Sequence, residues 1–153
     1  MTDQAQHIET FRATAQGKGW PTTVSITDTE WTIQLDEPKD EGGQNSGPNP
    51  MQIFAASLAG CQNEQAQVVA EELGVSMQSI DIDLEIDLDL AGFMGKAEHS
   101  DGSYKKTRLS AVVHGDLTEE QAQEMGRRVD RRCPILGLLR SSGCEIVSSW
   151  SAS

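Results

Sequence analysis

Three features of the sequence predict an α+β fold. Its first third consists of short strand-like stretches broken by glycine and proline; an unbroken run of helix formers extends from Pro50 to about Leu73; and a strictly alternating stretch covers Ile80 to Leu90. The 153 residues suit one domain, 1–153, with a core of useful size.

His7 to Gln16 and Thr22 to Ile26 are the first candidate strands, with Gly17, Gly19 and Pro21 turning the chain between them. Trp31-Thr32-Ile33-Gln34-Leu35 alternates apolar and polar side chains, the period of a third strand. Lys39 to Asn49 reads as a polar, glycine-rich loop. Asn49 then offers a helix cap, and Pro50 suits the first helical position, where the missing N–H costs nothing. Gly74 ends the helix. Between Ile53 and Cys61 this helix is apolar or small on almost every face, which predicts cover by a sheet, other helices or a partner subunit.

Ile80, Ile82, Leu84, Ile86, Leu88 and Leu90 alternate with Asp81, Asp83, Glu85, Asp87 and Asp89, giving a strand with one apolar and one carboxylate face. Carboxylates on alternate residues form an extended row and not a cage, so a solvated face is expected here over a cation site. Lys105, Lys106 or Arg108 on a neighbouring strand would offset their repulsion. Gly92 to Gly102 connects to a strand over Tyr104 to His114. Thr118-Glu119-Glu120-Gln121 is a capping box opening a second helix through about Arg131. Pro134 restarts the chain in a short apolar helix, Ile135 to Leu139, with Cys133 near its cap, and Cys144 to Trp150 closes as an edge strand.

The net charge is −12, from 24 acidic and 12 basic residues, which disfavours a phosphate-backbone binder and therefore nucleic acid as a partner. No apolar run reaches the length of a membrane span. The opening MTDQAQHIET lacks the apolar segment of a secretory signal, so a cytoplasmic protein is expected. Three cysteines are an odd number and do not suit a disulfide scaffold. His7, His99 and His114 are scattered, giving a metal site little support.

Cys61 and Cys133 sit in different helical settings. Cys61 ends the run Ile53-Phe54-Ala55-Ala56-Ser57-Leu58-Ala59-Gly60-Cys61, where Ala59 and Gly60 leave space beside the thiol. A glycine inside a helix costs about 1 kcal/mol relative to alanine, which points to close packing or ligand access at that spot. A buried cysteine is otherwise a small hydrophobe. Cys133 lies where free backbone N–H groups at a helix start favour a thiolate, with Arg131 and Arg132 adjacent. If the fold unites the two, they read as a nucleophilic thiol and the thiol that resolves it. Cys144, in a strand-like run after Gly143, is assigned to structure.

The stretch Gly47-Pro48-Asn49-Pro50-Met51-Gln52-Ile53-Phe54-Ala55-Ala56-Ser57-Leu58-Ala59-Gly60-Cys61, with Cys133-Pro134-Ile135 well downstream, resembles the OsmC/Ohr family of osmotically induced and organic-hydroperoxide-resistance proteins. The order of elements agrees over nearly the whole chain. The resemblance implies an OsmC-like fold: N-terminal antiparallel strands, a long central cysteine-bearing helix, a second strand group and helix, and an intertwined homodimer. It further implies thiol-dependent reduction of an organic hydroperoxide, with Cys61 as the peroxidatic thiol and Cys133 as the resolving one. An external dithiol or lipoylated protein would be the reductant, and no metal or flavin cofactor is needed.

Two positions depart from the peroxidase pattern. Those members carry a glutamate directly after the Asn-Pro pair, where this chain has Met51, and an arginine in the turn after the first strand, where Lys18 is nearest in place. Lysine supplies charge but not arginine's two-pronged contact. Losing both is coherent, since a glutamate without its arginine would be an unpaired buried charge. Arg12 and Glu64 are local substitutes, each read first as a surface residue. Two other readings therefore stand beside the peroxidase. One is an OsmC-like protein binding a small apolar or electrophilic ligand; the other is a structural or interaction protein that keeps the fold.

Overall fold

A computed structural model describes residues 7–96, 98 and 101–153. His99 lies outside the described residues. The chain divides into two compact units, one ending at Ile53 and the other covering Phe54–Ser153.

The first unit carries a three-stranded antiparallel sheet in the order β1 (Ala13–Gln16), β2 (Thr22–Ile26), β3 (Thr32–Leu35). β1 is shorter than the stretch His7 to Gln16 predicted from sequence. Its pairing with β2 begins at Ala13 opposite Ile26, and beyond Ile26 the chain turns, leaving residues 7–12 no β2 partner to extend the ladder. Trp31 falls just outside β3, its carbonyl accepting from Ile26 N–H at 3.0 Å in the turn.

Behind β3, the loop is organised by Asp36, which is fully buried. Its carboxylate accepts from Ser46 Oγ (2.7 Å) and from the N–H groups of Glu37 (2.9 Å), Gln44 (3.1 Å) and Ser46 (2.9 Å). The Ser46 hydroxyl and these backbone donors hold the acid down at about 2. Gly43 and Gly47 allow the close approach: a Cβ would lie 1.9 Å from the Glu37 carbonyl and 2.2 Å from that of Gln34, respectively.

Helix α1 (Pro50–Leu73) begins where the sequence predicts. Asn49 Oδ1 accepts from Gln52 N–H and Gln52 Oε1 accepts from Asn49 N–H, both at 2.9 Å, a reciprocal cap. Its end is a Schellman turn: Gly74 has φ +65° and Val75 N–H reaches back to the Ala70 carbonyl at 3.1 Å.

The second unit has a sheet in the order β4 (Ser76–Leu88), β5 (Tyr104–Asp116), β6 (Glu145–Ala152). β4 starts earlier than Ile80, because Ser76 and Met77 also pair with β5 across a bulge before Ser79. It also stops earlier. Asp89 caps a short turn of helix, α2 (Leu90–Phe93), accepting from Gly92 N–H, which takes Leu90 out of the strand. Asp81, Asp83, Glu85 and Asp87 are exposed as expected, while Asp89 is half-buried, and Arg108 spans Glu85 (2.6 Å) and Asp87 (2.6 and 2.8 Å).

α3 (Glu119–Arg132) carries the Thr118/Gln121 capping box, and α4 (Pro134–Ser141) follows after the single residue Cys133. The two helices carry the chain back, so β6 runs parallel to β5 at the sheet edge. One core cluster joins Ala66, Val69 and Ala70 of α1 with Leu109, Ala111 and Val113 of β5, Met125 and Val129 of α3, and Trp150 of β6. A second joins Leu58 of α1 with Leu136 and Leu139 of α4 and encloses Cys133 and Cys144. Each fully buried leucine contributes about 1.5–3 kcal/mol. Within one chain the helix start is covered in part: Leu58 is buried, and Ala56, Ser57 and Gly60 are exposed.

Candidate functional site

The second cluster brings two of the three predicted site residues together. Cys61 and Cys133 are free thiols whose Sγ atoms lie 2.8 Å apart. That is longer than a disulfide bond, about 2.04 Å, but within reach of one by small side-chain adjustments. Lys18, the third candidate, belongs to the first unit, in the turn between β1 and β2, and is exposed. Arg12 is exposed just before β1.

Local sequence explains the meeting. Phe54, Leu58 and Cys61 follow one another at helical spacing along one stripe of α1, and all three join the second cluster. Cys133 ends α3, its N–H bonded to the Val129 carbonyl at 2.9 Å, and also caps α4, its carbonyl accepting from Gly137 N–H at 3.0 Å. Pro134, at the first position of α4, fixes the break between the helices. The sulfur is thus held by two helix ends at once.

The thiols differ in access. Cys133 is buried, at 1% exposure, while Cys61 is half-buried. A reagent from solvent therefore meets Cys61 first. Burial pushes the Cys61 thiol up to about 12, with the Cys133 contact and the charge of Glu64 acting in the same direction. Glu64 is thus not a substitute for an activating cation; it is an exposed anion that opposes the thiolate. The backbone N–H of Ile135 works the other way, lowering the Cys61 value. The free N–H groups at the start of α4, which the sequence assigns to Cys133, thus include one that serves Cys61.

Two arginines near Cys133 are engaged elsewhere. Arg132 pairs with Glu72 through both terminal nitrogens (2.7 and 2.8 Å), and Arg128 pairs with Glu124 (2.7 Å). Cys144 is buried, with its sulfur 3.4 Å from Thr107 Oγ1, in keeping with a structural role.

Several residues around the thiols do not stand out in the sequence. Phe54 stacks on Tyr104, with ring centroids 5.0 Å apart, and both pack on the thiol cluster. The spacing of Phe54 to Cys61 hints at this; the Tyr104 partner is set by the strand register. Gln62, next to Cys61, is fully buried. Its only sequence signal is that it interrupts an apolar helical stripe.

Residues 43–148 match the profile of the OsmC-like protein family. The chain is similar to the organic hydroperoxide resistance protein OhrB of Bacillus subtilis (strain 168), with 33% identity over 105 residues that make up 69% of this chain and 70% of OhrB. The crystal structure of OhrB superposes with a TM-score of 0.64 at 25% identity, covering 95% of this chain and 98% of OhrB. That of the OsmC-like protein from Mycoplasma pneumoniae gives a TM-score of 0.78 at 18% identity, covering 95% and 96%. The profile match over most of the chain and the similarity to OhrB place the chain in the OsmC-like family.

Proposed function

We propose that this protein, acting as a single OsmC-like domain per subunit, reduces organic hydroperoxides with the Cys61–Cys133 pair. The observation that carries the reading is the 2.8 Å contact between a half-buried and a fully buried thiol. The similarity to OhrB, named for organic hydroperoxide resistance, supports it.

Cys61, as thiolate, attacks the terminal oxygen of the hydroperoxide. The O–O bond breaks, the leaving alkoxide takes a proton to become the alcohol, and Cys61 becomes a sulfenic acid. The Cys133 sulfur then attacks the Cys61 sulfur, the S–O bond breaks, and water leaves as the disulfide forms. Two electrons pass from the thiols to the peroxide. An external dithiol, such as a lipoylated protein, returns them by exchange. The apolar surroundings, Phe54, Leu58, Ile135 and Tyr104, favour an organic substrate over hydrogen peroxide.

A homodimer in the cytoplasm completes the proposal. The small exposed face of α1, Ala56, Ser57 and Gly60, supports a second copy as its cover, and a Cβ placed on Gly60 would meet no described atom within 4 Å beyond its chain neighbours and the adjoining helix backbone. Among the described residues no helix is long and apolar enough to cross a membrane.

One observation favours a second reading. A thiol raised to about 12, beside the anion Glu64, is a poor nucleophile in this arrangement, as suits a site that binds a small apolar or electrophilic ligand without turnover. Titrating the reduced protein with cumene hydroperoxide separates the two. The peroxidase loses the Cys61 and Cys133 thiols together, C61S abolishes the reaction, and C133S accumulates a sulfenic acid trapped by dimedone. Hydroperoxide binding with all thiols retained supports the second reading and rejects the first.

A further inference from the structure

Gln62 is fully buried, and neither its Nε2 nor its Oε1 has a hydrogen-bond partner among the described residues. An amide in this state is destabilising, since it has given up water without replacement. A methionine or leucine would fill similar space on the stripe that runs through Leu58, Ala66 and Val69 without that penalty. The position calls for a reason to keep the amide.

Its location supplies one. Positions 58, 61 and 62 are i, i+3 and i+4 on α1 and form one contiguous patch of helix surface. Leu58 packs in the cluster that holds Cys133, and Cys61 touches Cys133 sulfur to sulfur. Gln62 and Cys61 thus flank Leu58 on the same helix surface. In the state described, the two sulfurs are in hydrogen-bond contact with each other. Deprotonation or oxidation of Cys61 puts negative charge or a new oxygen at the site, and either accepts from further donors.

We propose that Gln62 keeps its amide for those states, with Nε2–H donating to the Cys61 sulfur in the thiolate and to its oxygen in the sulfenic acid. The amide has no hydrogen bond among the described residues to break in making that contact. Gln62 and the Ile135 N–H would together replace the charged activating pair absent at Met51 and Lys18. This rests on the reading of Cys61 as the reacting thiol; it does not require that the oxidant be a hydroperoxide.

The test is the Q62M variant, with Q62L as a second, in three measurements. Thermal unfolding is expected to show both variants as stable as the parent protein or more so. Alkylation of Cys61 by iodoacetamide, followed by peptide mass across pH, is expected to be about tenfold to a hundredfold slower at pH 8 in both, with its midpoint moved to higher pH. Oxidation of Cys61 by cumene hydroperoxide should slow by a similar factor. An unchanged alkylation profile in Q62M and Q62L overturns the proposal. So does a loss of stability in both, which would mark the amide as a satisfied structural group. Alkylation that depends on Gln62 in a parent protein inert to hydroperoxides would reject the peroxidase reading and leave this one standing.

Discussion

Arg132 grips Glu72 with two nitrogens, Nη1 on Oε1 at 2.7 Å and Nη2 on Oε2 at 2.8 Å. Glu72 lies about three turns beyond Cys61 on α1, and Arg132 immediately precedes Cys133. The pair therefore ties the helix carrying one thiol to the helix end carrying the other.

Replacing Arg132 by methionine should slow formation of the Cys61–Cys133 disulfide under a fixed oxidant, and R132K should restore the rate only partly, since lysine lacks the fork. The double exchange E72R/R132E should recover most of it. The Glu72 carboxyl is held below its usual 4.5 by Arg132. The contribution of the pair is therefore present above pH 4.5 and is lost as pH falls through the folded-state value. Thiol-loss rates between pH 3 and 7 read this directly.

Burial raises the Cys61 thiol above its ordinary 9.0, towards 12. Alkylation of Cys61 should keep accelerating with pH beyond 9, where an ordinary thiol has levelled off. The linked effect on folding has a definite sign: the stabilisation is full below pH 9 and is lost as pH rises towards 12. E64Q should shift the alkylation profile to lower pH, because the opposing carboxylate is removed. A profile that levels at or below pH 9 would contradict the burial argument.

Asp36 is the organiser of the 37–46 loop. D36A should leave Ser46 Oγ and three backbone N–H groups without their acceptor, and amide exchange across Glu37, Gln44 and Ser46 should accelerate. In the parent protein the folded acid sits at about 2 against 3.8 for a free one. Its support is complete above pH 3.8 and fades as pH falls to 2. Exchange measured at pH 6 and pH 2.5 should show the loop loosening at the lower value.

Gly126 faces Trp150, and a Cβ there would lie 2.3 Å from the indole Cγ. G126A should push α3 away from β6 and destabilise the protein by about 1–3 kcal/mol, a cost typical of overpacking. Urea unfolding checks it. Pairing G126A with a smaller residue at Trp150 should recover part of the loss.

Much of this architecture is legible locally. The period of two in β4, the Asn49–Pro50 start and Gly74 stop of α1, and the Thr118 capping box each rest on short-range physics, and each is present. Features that depend on distant partners are not. The parallel register of β6 follows from two intervening helices, and the role of Asp36 depends on Ser46 folding back on it. The shortened β1 is a matter of pairing, not of residue pattern. The thiol meeting itself is suggested by the family resemblance, because spacing alone cannot unite two cysteines so far apart in the chain. Gln62 stays invisible until the buried face of α1 is known.

The most direct test is peptide mapping of the fully reduced protein after one equivalent of cumene hydroperoxide at pH 8. The account predicts a single linkage, Cys61 to Cys133, with Cys144 still a free thiol and one equivalent of alcohol released. Recovery of all three cysteines as thiols, or a disulfide that includes Cys144 in place of Cys133, would contradict it.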